Sequence, residues 1–264
     1  MLGTGLCTFS LPLCARPKHV HVMKEKKKRI EIIDALRGLA VVLMVIHHLL
    51  YNLTAFLGAP VWLFTNPVFD ILHLIFAGLF IFLSGVSSRF SRGNVERGAI
   101  VIVLAVIITY VTYRMDMPIW FGILHLLGFS MIFFGLTQKF WDIVPKKVSP
   151  IIFIALIAAS ASVTTCITIT SKNIVLCDAL NILGWPQPGF ISYDYFPFLP
   201  WIFVFLLGTW SGIYIRDRKL PNWFYEVKPP FFPAVGRKAL LIYILHQPVL
   251  YALVTAIASL RSTG

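Results

Sequence analysis

Residues 29–53 read RIEIIDALRGLAVVLMVIHHLLYNL. Glu31, Asp34 and Arg37 crowd the start, and from Gly38 to Ile46 every side chain is apolar or absent. Two adjacent imidazoles, His47 and His48, then interrupt the run, which resumes to Leu57. About 20 apolar residues at 1.5 Å each cross a bilayer, so 33–57 is long enough to span one. Working outward, stretches of the same kind lie near 68–88, 99–113, 118–137, 150–170, 197–215 and 239–260. The third is the shortest. The expected fold is all-α: a polytopic transmembrane bundle of about seven helices. Composition agrees, because 58% of the residues are hydrophobic and only 13% charged. Soluble domains hold roughly 45–50% apolar and about 25% charged residues. A soluble enzyme, a disordered chain and a disulfide scaffold are thereby excluded.

Orientation follows from the basic residues. They gather before the first helix (Lys24 to Arg29), between the second and third (Arg89, Arg92, Arg97) and between the fourth and fifth (Lys139, Lys146, Lys147). Arg216, Arg218, Lys219, Lys228, Arg237 and Lys238 fall between the last two. The other connections carry almost none, and cytoplasmic loops are the basic ones, so the N-terminus is expected in the cytoplasm. The net charge of +12 then belongs to loops beside an anionic leaflet rather than to nucleic-acid binding. Residues 1–28 read as a disordered basic N-terminal extension, and 29–264 as one membrane domain. The oligomeric state is left open, a homodimer included.

Ionisable groups within apolar spans are costly, so each is a site candidate. Here they are His47, His48, Asp70, His73, His125 and His246. Helix rise puts His48 roughly 22 Å from the cytoplasmic edge, with His73 and His125 within roughly 6–11 Å of the outer surface. Those three are expected to share an outer layer. His246, about 10 Å into the last helix, is expected below them, beside a kink at Pro248. Spacing puts His48 and Asn52 on one helix face, and lets Asp70 hold His73 in one tautomer. Gly122, His125 and Gly128 share a face suited to close helix approach. Asp34 pairs with Arg37 at the mouth of the first helix.

Plainer readings stand beside these. A single membrane histidine is more often an interhelical hydrogen bond than a catalyst. Arg89 and Arg92 are equally well ordinary basic residues of a cytoplasmic loop. No second spaced ligand pair supports a metal site, so no metal is expected.

The opening segment resembles that of the heparan-alpha-glucosaminide N-acetyltransferase catalytic-domain family, in its short bacterial branch. Four further stretches are similar: LFIFLSGVSSRFSRG (79–93), WFGILHLLGFS (120–130), DYFPFLPWIFVFLLG (194–208) and GRKALLIYILHQPVLY (236–251). The resemblance implies a multi-pass acyltransferase of the plasma (inner) membrane. It would move an acetyl group from cytoplasmic acetyl-CoA, a co-substrate rather than a resident cofactor, to a glycan or other acceptor beyond the bilayer. In the wider membrane acyltransferase superfamily an Arg-Gly entry helix bears a His eleven residues after the Arg, as Arg37 and His48 do. An Arg-x-x-Arg pair near the cytoplasm corresponds to Arg89 and Arg92. Family enzymes of animals carry the acetyl group on a loop His, and 58–69 of this chain contains none.

Physical chemistry fits that picture. Arg37, Arg89 and Arg92 suit the phosphates of coenzyme A. His48, with neighbouring His47, suits a base or nucleophile. His125 and His246 suit oxyanion support or positioning, Asp70 would orient His73, and Tyr193, Asp194 and Tyr195 would face the acceptor. The rival readings are a small transporter, or a non-catalytic accessory protein, using the same histidines as a proton relay or structural network.

Overall fold

The computed structural model describes residues 29–167, 169 and 173–262. The N-terminal extension 1–28 lies outside the described residues. In chain order the helices are α1 (Glu31–Leu57), α2 (Pro67–Phe90), α3 (Asn94–Arg114), α4 (Ile123–Ile143) and α5 (Ser149–Cys166). There follow α6 (Ile174–Leu183), α7 (Phe198–Arg216), α8 (Asn222–Glu226), α9 (Phe232–Arg237) and α10 (Ala239–Ser262). A 3-10 turn, Val61–Leu63, joins α1 to α2. Seven helices are long and apolar enough to cross a membrane: α1 to α5, α7 and α10. The described residues contain no strand, and the all-α membrane bundle expected from the sequence is the observed fold.

Two spans start well away from where apolar counting puts them. α3 begins at Asn94, so its first turn holds Glu96 and Arg97, which apolar counting discards. α4 begins at Ile123 rather than near 118. The intervening segment bonds elsewhere: Tyr193 N–H donates to the Pro118 carbonyl at 3.1 Å and Phe196 N–H to that of Phe121 at 3.0 Å. Backbone already paired in this way does not form the i→i−4 ladder of a helix.

The core lies between α2, α4 and α7, where Ile81, Leu126, Phe134, Phe205 and Leu206 have no exposed surface. α1 packs against α2, α9 and α10, while α3 rests on α4 and α5 on α7. The flanking helices carry outward apolar residues, among them Val103 and Val106 on α3 and Leu245 and Val249 on α10. Such faces are stable against lipid tails.

Two glycines set the position of α10. A Cβ on Gly38 would lie 2.1 Å from the Phe232 carbonyl oxygen, and one on Gly236 would lie 1.8 Å from that of Asp34. Only glycine permits this α1–α9 crossing. It levels residue 236 with residue 38, so ten residues further on, about 15 Å along parallel axes, His246 stands level with His48. The expectation that His246 lies below the other rings is therefore corrected. α1 starts seven residues before the crossing and α10 three residues after it, so depth counted from each helix start misleads. α10 also runs on through Pro248 as one helix.

Candidate functional site

α1 presents its two histidines to different neighbours. The His47 ring stacks on that of His73 at 4.3 Å between centroids and meets Phe64 at 5.0 Å. The His48 ring lies 5.0 Å from that of His246 on α10. Adjacent residues project about 100° apart on a helix, which is why consecutive imidazoles reach α2 and α10 separately. Four of the expected site residues thus come together at one level of the bundle.

Beside them is a narrow cavity of about 30 Å³. Ala40, Val41 and Met44 form its lower wall, and His48, His73, Asp194 and Tyr243 supply its polar atoms. Asp194 comes from the loop before α7. Its carboxylate accepts from the Tyr243 hydroxyl at 3.1 Å and from the Ile123 N–H, at the start of α4, at 3.3 Å. The oxygen fits only because residue 122 is glycine, where a Cβ would lie 2.7 Å from Asp194 Oδ2. Burial raises the Asp194 carboxyl above the ordinary carboxylate range; its two hydrogen bonds and the nearby His73 act in the opposite direction.

His246 has a defined tautomer. Its Nδ1 lies 2.6 Å from the Tyr243 carbonyl oxygen, which can only accept, so Nδ1 carries the proton. Nε2 is left with a bare lone pair, buried and without a partner among the described residues. One turn beyond His48, Asn52 is fully buried, and its Oδ1 accepts from Gln247 Nε2 at 3.2 Å.

His125 stands apart from this cluster. Its Nδ1 accepts from Gly122 N–H at 3.2 Å, closing the first turn of α4. Its Nε2 lies 3.3 Å from Thr109 Oγ1, and that hydroxyl already donates to the Ile119 carbonyl at 2.6 Å. The proton between them therefore sits on Nε2, and the neutral ring ties α3 to α4. His125 does not line the cavity, so the expected layer of His48, His73 and His125 loses its third member.

The remaining expected residues divide similarly. Asp70 is exposed one turn before His73. Of the trio 193–195, only Asp194 lines the cavity. Tyr193 is exposed, and the Tyr195 hydroxyl donates to the Asn181 carbonyl at 2.5 Å, with burial pushing its pKa up to about 12. The chain bends at Tyr193 and Asp194, and the three side chains have different surroundings, so they do not face one ligand together.

The arginines do not form one clamp. Arg37 pairs with Asp34 at 3.0 Å, as its spacing suggested, and also donates to Ser87 Oγ on α2. It lies one turn below the cavity wall at Ala40 and Val41. Arg89 lies two residues past Ser87 and so projects from the other side of α2. There it pairs with Asp142 at 2.7 Å and donates to the Thr209 carbonyl at 3.2 Å, lining a separate polar pocket of about 220 Å³ with Lys146 and Arg216. Arg92 is exposed. The described residues hold no cluster of three or more His, Cys, Asp or Glu suited to a metal ion.

Sequence reasoning did not single out Ser87, Tyr243 or Gln247. Tyr243 and Gln247 flank His246 within one turn, and that spacing is the signal that could have raised them.

Residues 29–248 match the family model described as heparan-alpha-glucosaminide N-acetyltransferase, catalytic. No curated protein and no solved structure matches the chain. The matched span opens just before α1 and closes just after His246, so it contains the whole cavity and the ring cluster beside it. With that much of its length matched, the chain belongs to the heparan-alpha-glucosaminide N-acetyltransferase catalytic-domain family, whose description is that of a membrane acetyltransferase.

Proposed function

We propose that the protein transfers an acetyl group from acetyl-CoA, taken from the cytoplasmic side, to a hydroxyl or amine of a glycan-like acceptor on the other side. The observation that carries this reading is the polar end of the cavity. His48, His73, Asp194 and Tyr243 meet around one small cavity, with Arg37 one turn beneath its lower wall. Arg37 would meet the donor's phosphates at the basic end of the bundle, and the thin pantetheine arm would rise along Ala40, Val41 and Met44.

His48 is the general base. A lone pair on the acceptor oxygen or nitrogen forms a bond to the thioester carbonyl carbon while His48 takes the acceptor's proton. The carbonyl π electrons move onto oxygen. Collapse restores the C=O bond and breaks the C–S bond, and the departing thiolate takes the proton from His48 as coenzyme A. His246 is a positioning residue: its ring lies 5.0 Å from that of His48, and its bare Nε2 suits a hydrogen bond from the His48 N–H as the rings turn, which would leave the other His48 nitrogen free to act as base. Asp194, held by Tyr243 and the Ile123 N–H, suits the acceptor's hydroxyl groups, with His73 beside it. His47, stacked on His73, supports that ring.

The test is transfer of labelled acetyl from acetyl-CoA, to water or to added amino sugar, by purified protein in nanodiscs. His48→Ala should lower turnover by about 10²–10⁴-fold at unchanged melting temperature, the range expected for loss of a general base. Turnover at the wild-type rate in this variant would refute the assignment. Absence of any acetyl turnover by the wild-type protein would favour a transport or accessory role.

A further inference from the structure

Five buried side-chain atoms have no hydrogen-bond partner among the described residues: Asn52 Nδ2, Asn94 Oδ1, Ser130 Oγ, His246 Nε2 and Gln247 Oε1. Three of the five lie on one seam, between α1 and α10, within a turn of His48. A buried polar atom without a partner costs about 1–3 kcal/mol, so such a concentration is not expected in a seam that serves packing alone. Apolar residues at 52 and 247 would close α1 on α10 more stably.

The chemistry of the seam is specific. Asn52 and Gln247 are joined by one hydrogen bond, Gln247 Nε2 to Asn52 Oδ1. That bond fixes the Asn52 amide plane and leaves its N–H donors without an acceptor. Asn52 lies four residues after His48 on the same helix face, with Cβ atoms about 5–6 Å apart. A carbonyl carbon within reach of His48 can therefore direct its oxygen at Asn52 Nδ2. The donor is also preorganised: fully buried, shielded from water and held by a second residue.

We propose that Asn52 is the oxyanion donor of the acyl-transfer step, that the α1–α10 seam is the subsite of the reacting thioester carbonyl, and that Gln247 is its positioning residue. This rests on the acetyl-transfer reading above. As the acceptor adds to the carbonyl carbon, the electron pair displaced onto oxygen meets the Asn52 N–H. The negative charge returns to re-form C=O when the C–S bond breaks. A fixed donor aimed at charge that exists only in the transition state accelerates the step without tightening ground-state binding.

Two near-isosteric substitutions test the assignment, because each deletes the same hydrogen bond but only one deletes the donor. With labelled acetyl-CoA, Asn52→Leu should lower kcat by roughly 10²–10³-fold with KM for acetyl-CoA within about 3-fold of wild type. Gln247→Leu, which frees the amide but keeps it, should lower kcat no more than about 10-fold. Asn52→Ala carries the same expectation as Asn52→Leu should the latter fail to fold. Equal kcat losses in the Asn52 and Gln247 variants, tracking their melting temperatures, would reduce the pair to packing and overturn the proposal. A larger loss in Gln247→Leu would overturn the assignment to Asn52. A wild-type protein without acetyl turnover would remove the function itself, whereas an active wild type with unimpaired Asn52→Leu would remove only this inference.

Discussion

His125 and His246 are both imidazoles near the start of a membrane helix, and the bundle treats them oppositely. In His125 each nitrogen has a partner, the Gly122 N–H on one side and Thr109 Oγ1 on the other. In His246 one nitrogen is held by the Tyr243 carbonyl and the other is bare, on a seam that holds two more unpartnered amide atoms. Burial alone does not separate a structural histidine from a chemical one. The difference lies in what remains unpaired once the fold is complete. A satisfied ring contributes stability and has nothing left to offer a substrate, while an unsatisfied one weakens the fold slightly and keeps a lone pair available.

The sharpest way to break this comparison is a crossed pair of alanine variants. His246→Ala should lower acetyl turnover by about 10²-fold or more, through loss of His48 positioning. It should leave stability within about 1 kcal/mol of wild type, because removing an unpartnered acceptor offsets the space left behind. His125→Ala should do the reverse. It strips the Gly122 N–H and Thr109 of partners and should cost about 2–4 kcal/mol, read as a fall in melting temperature. The folded fraction should keep turnover within a few-fold of wild type. Two variants that shift activity and stability together would show that the rings are not divided in this way.

The bundle was legible from sequence because bilayer thickness demands long apolar runs, and these survive any rearrangement of neighbours. Short helices leave no such mark. α6, α8 and α9 run to 10, 5 and 6 residues, too short for apolar counting to separate from the connections. Of the site, His47, His48, His73 and His246 stood out through the cost of ionisable groups in lipid. Their grouping did not, because it depends on the Gly38–Gly236 crossing, a contact between residues 198 positions apart that sets the height of α10. In the sequence Arg89 reads either as a loop cation or as part of a phosphate clamp, yet its side chain is only 3% exposed beside Asp142. Nothing local to residues 89–92 reports that partner, which lies two helices further on.

A smaller effect sharpens the comparison at the other end of the cavity. Gly122 serves both regions: its N–H donates to His125, and its missing side chain admits Asp194. Gly122→Ala keeps the first role and removes the second, since the new methyl would lie 2.7 Å from Asp194 Oδ2 and 2.8 Å from Ile119 Cγ2. The carboxylate must withdraw from the Ile123 N–H and Tyr243. The expected cost is about 1–3 kcal/mol of stability from overpacking, together with a rise in KM for the acceptor at little-changed KM for acetyl-CoA. An equal rise in both constants would place Asp194 on the donor's path instead.

The smallest expected effect is a pH slope. Burial keeps the Asp194 carboxyl above its ordinary range in the folded protein, so the native state holds a proton that the unfolded chain has already lost. The associated stability is fully present below the unfolded-state pKa and is lost as pH rises through the raised, folded-state value. Asp194→Asn keeps the shape and never ionises. Its melting temperature should therefore fall less than that of the wild type as pH rises from about 4 towards neutrality, with the two curves drawing together at the acidic end. A wild-type curve parallel to that of Asp194→Asn would mean that Tyr243, the Ile123 N–H and His73 together outweigh burial. Asp194 would then be a fixed anion beside His73, and the cavity would carry its charge at that wall.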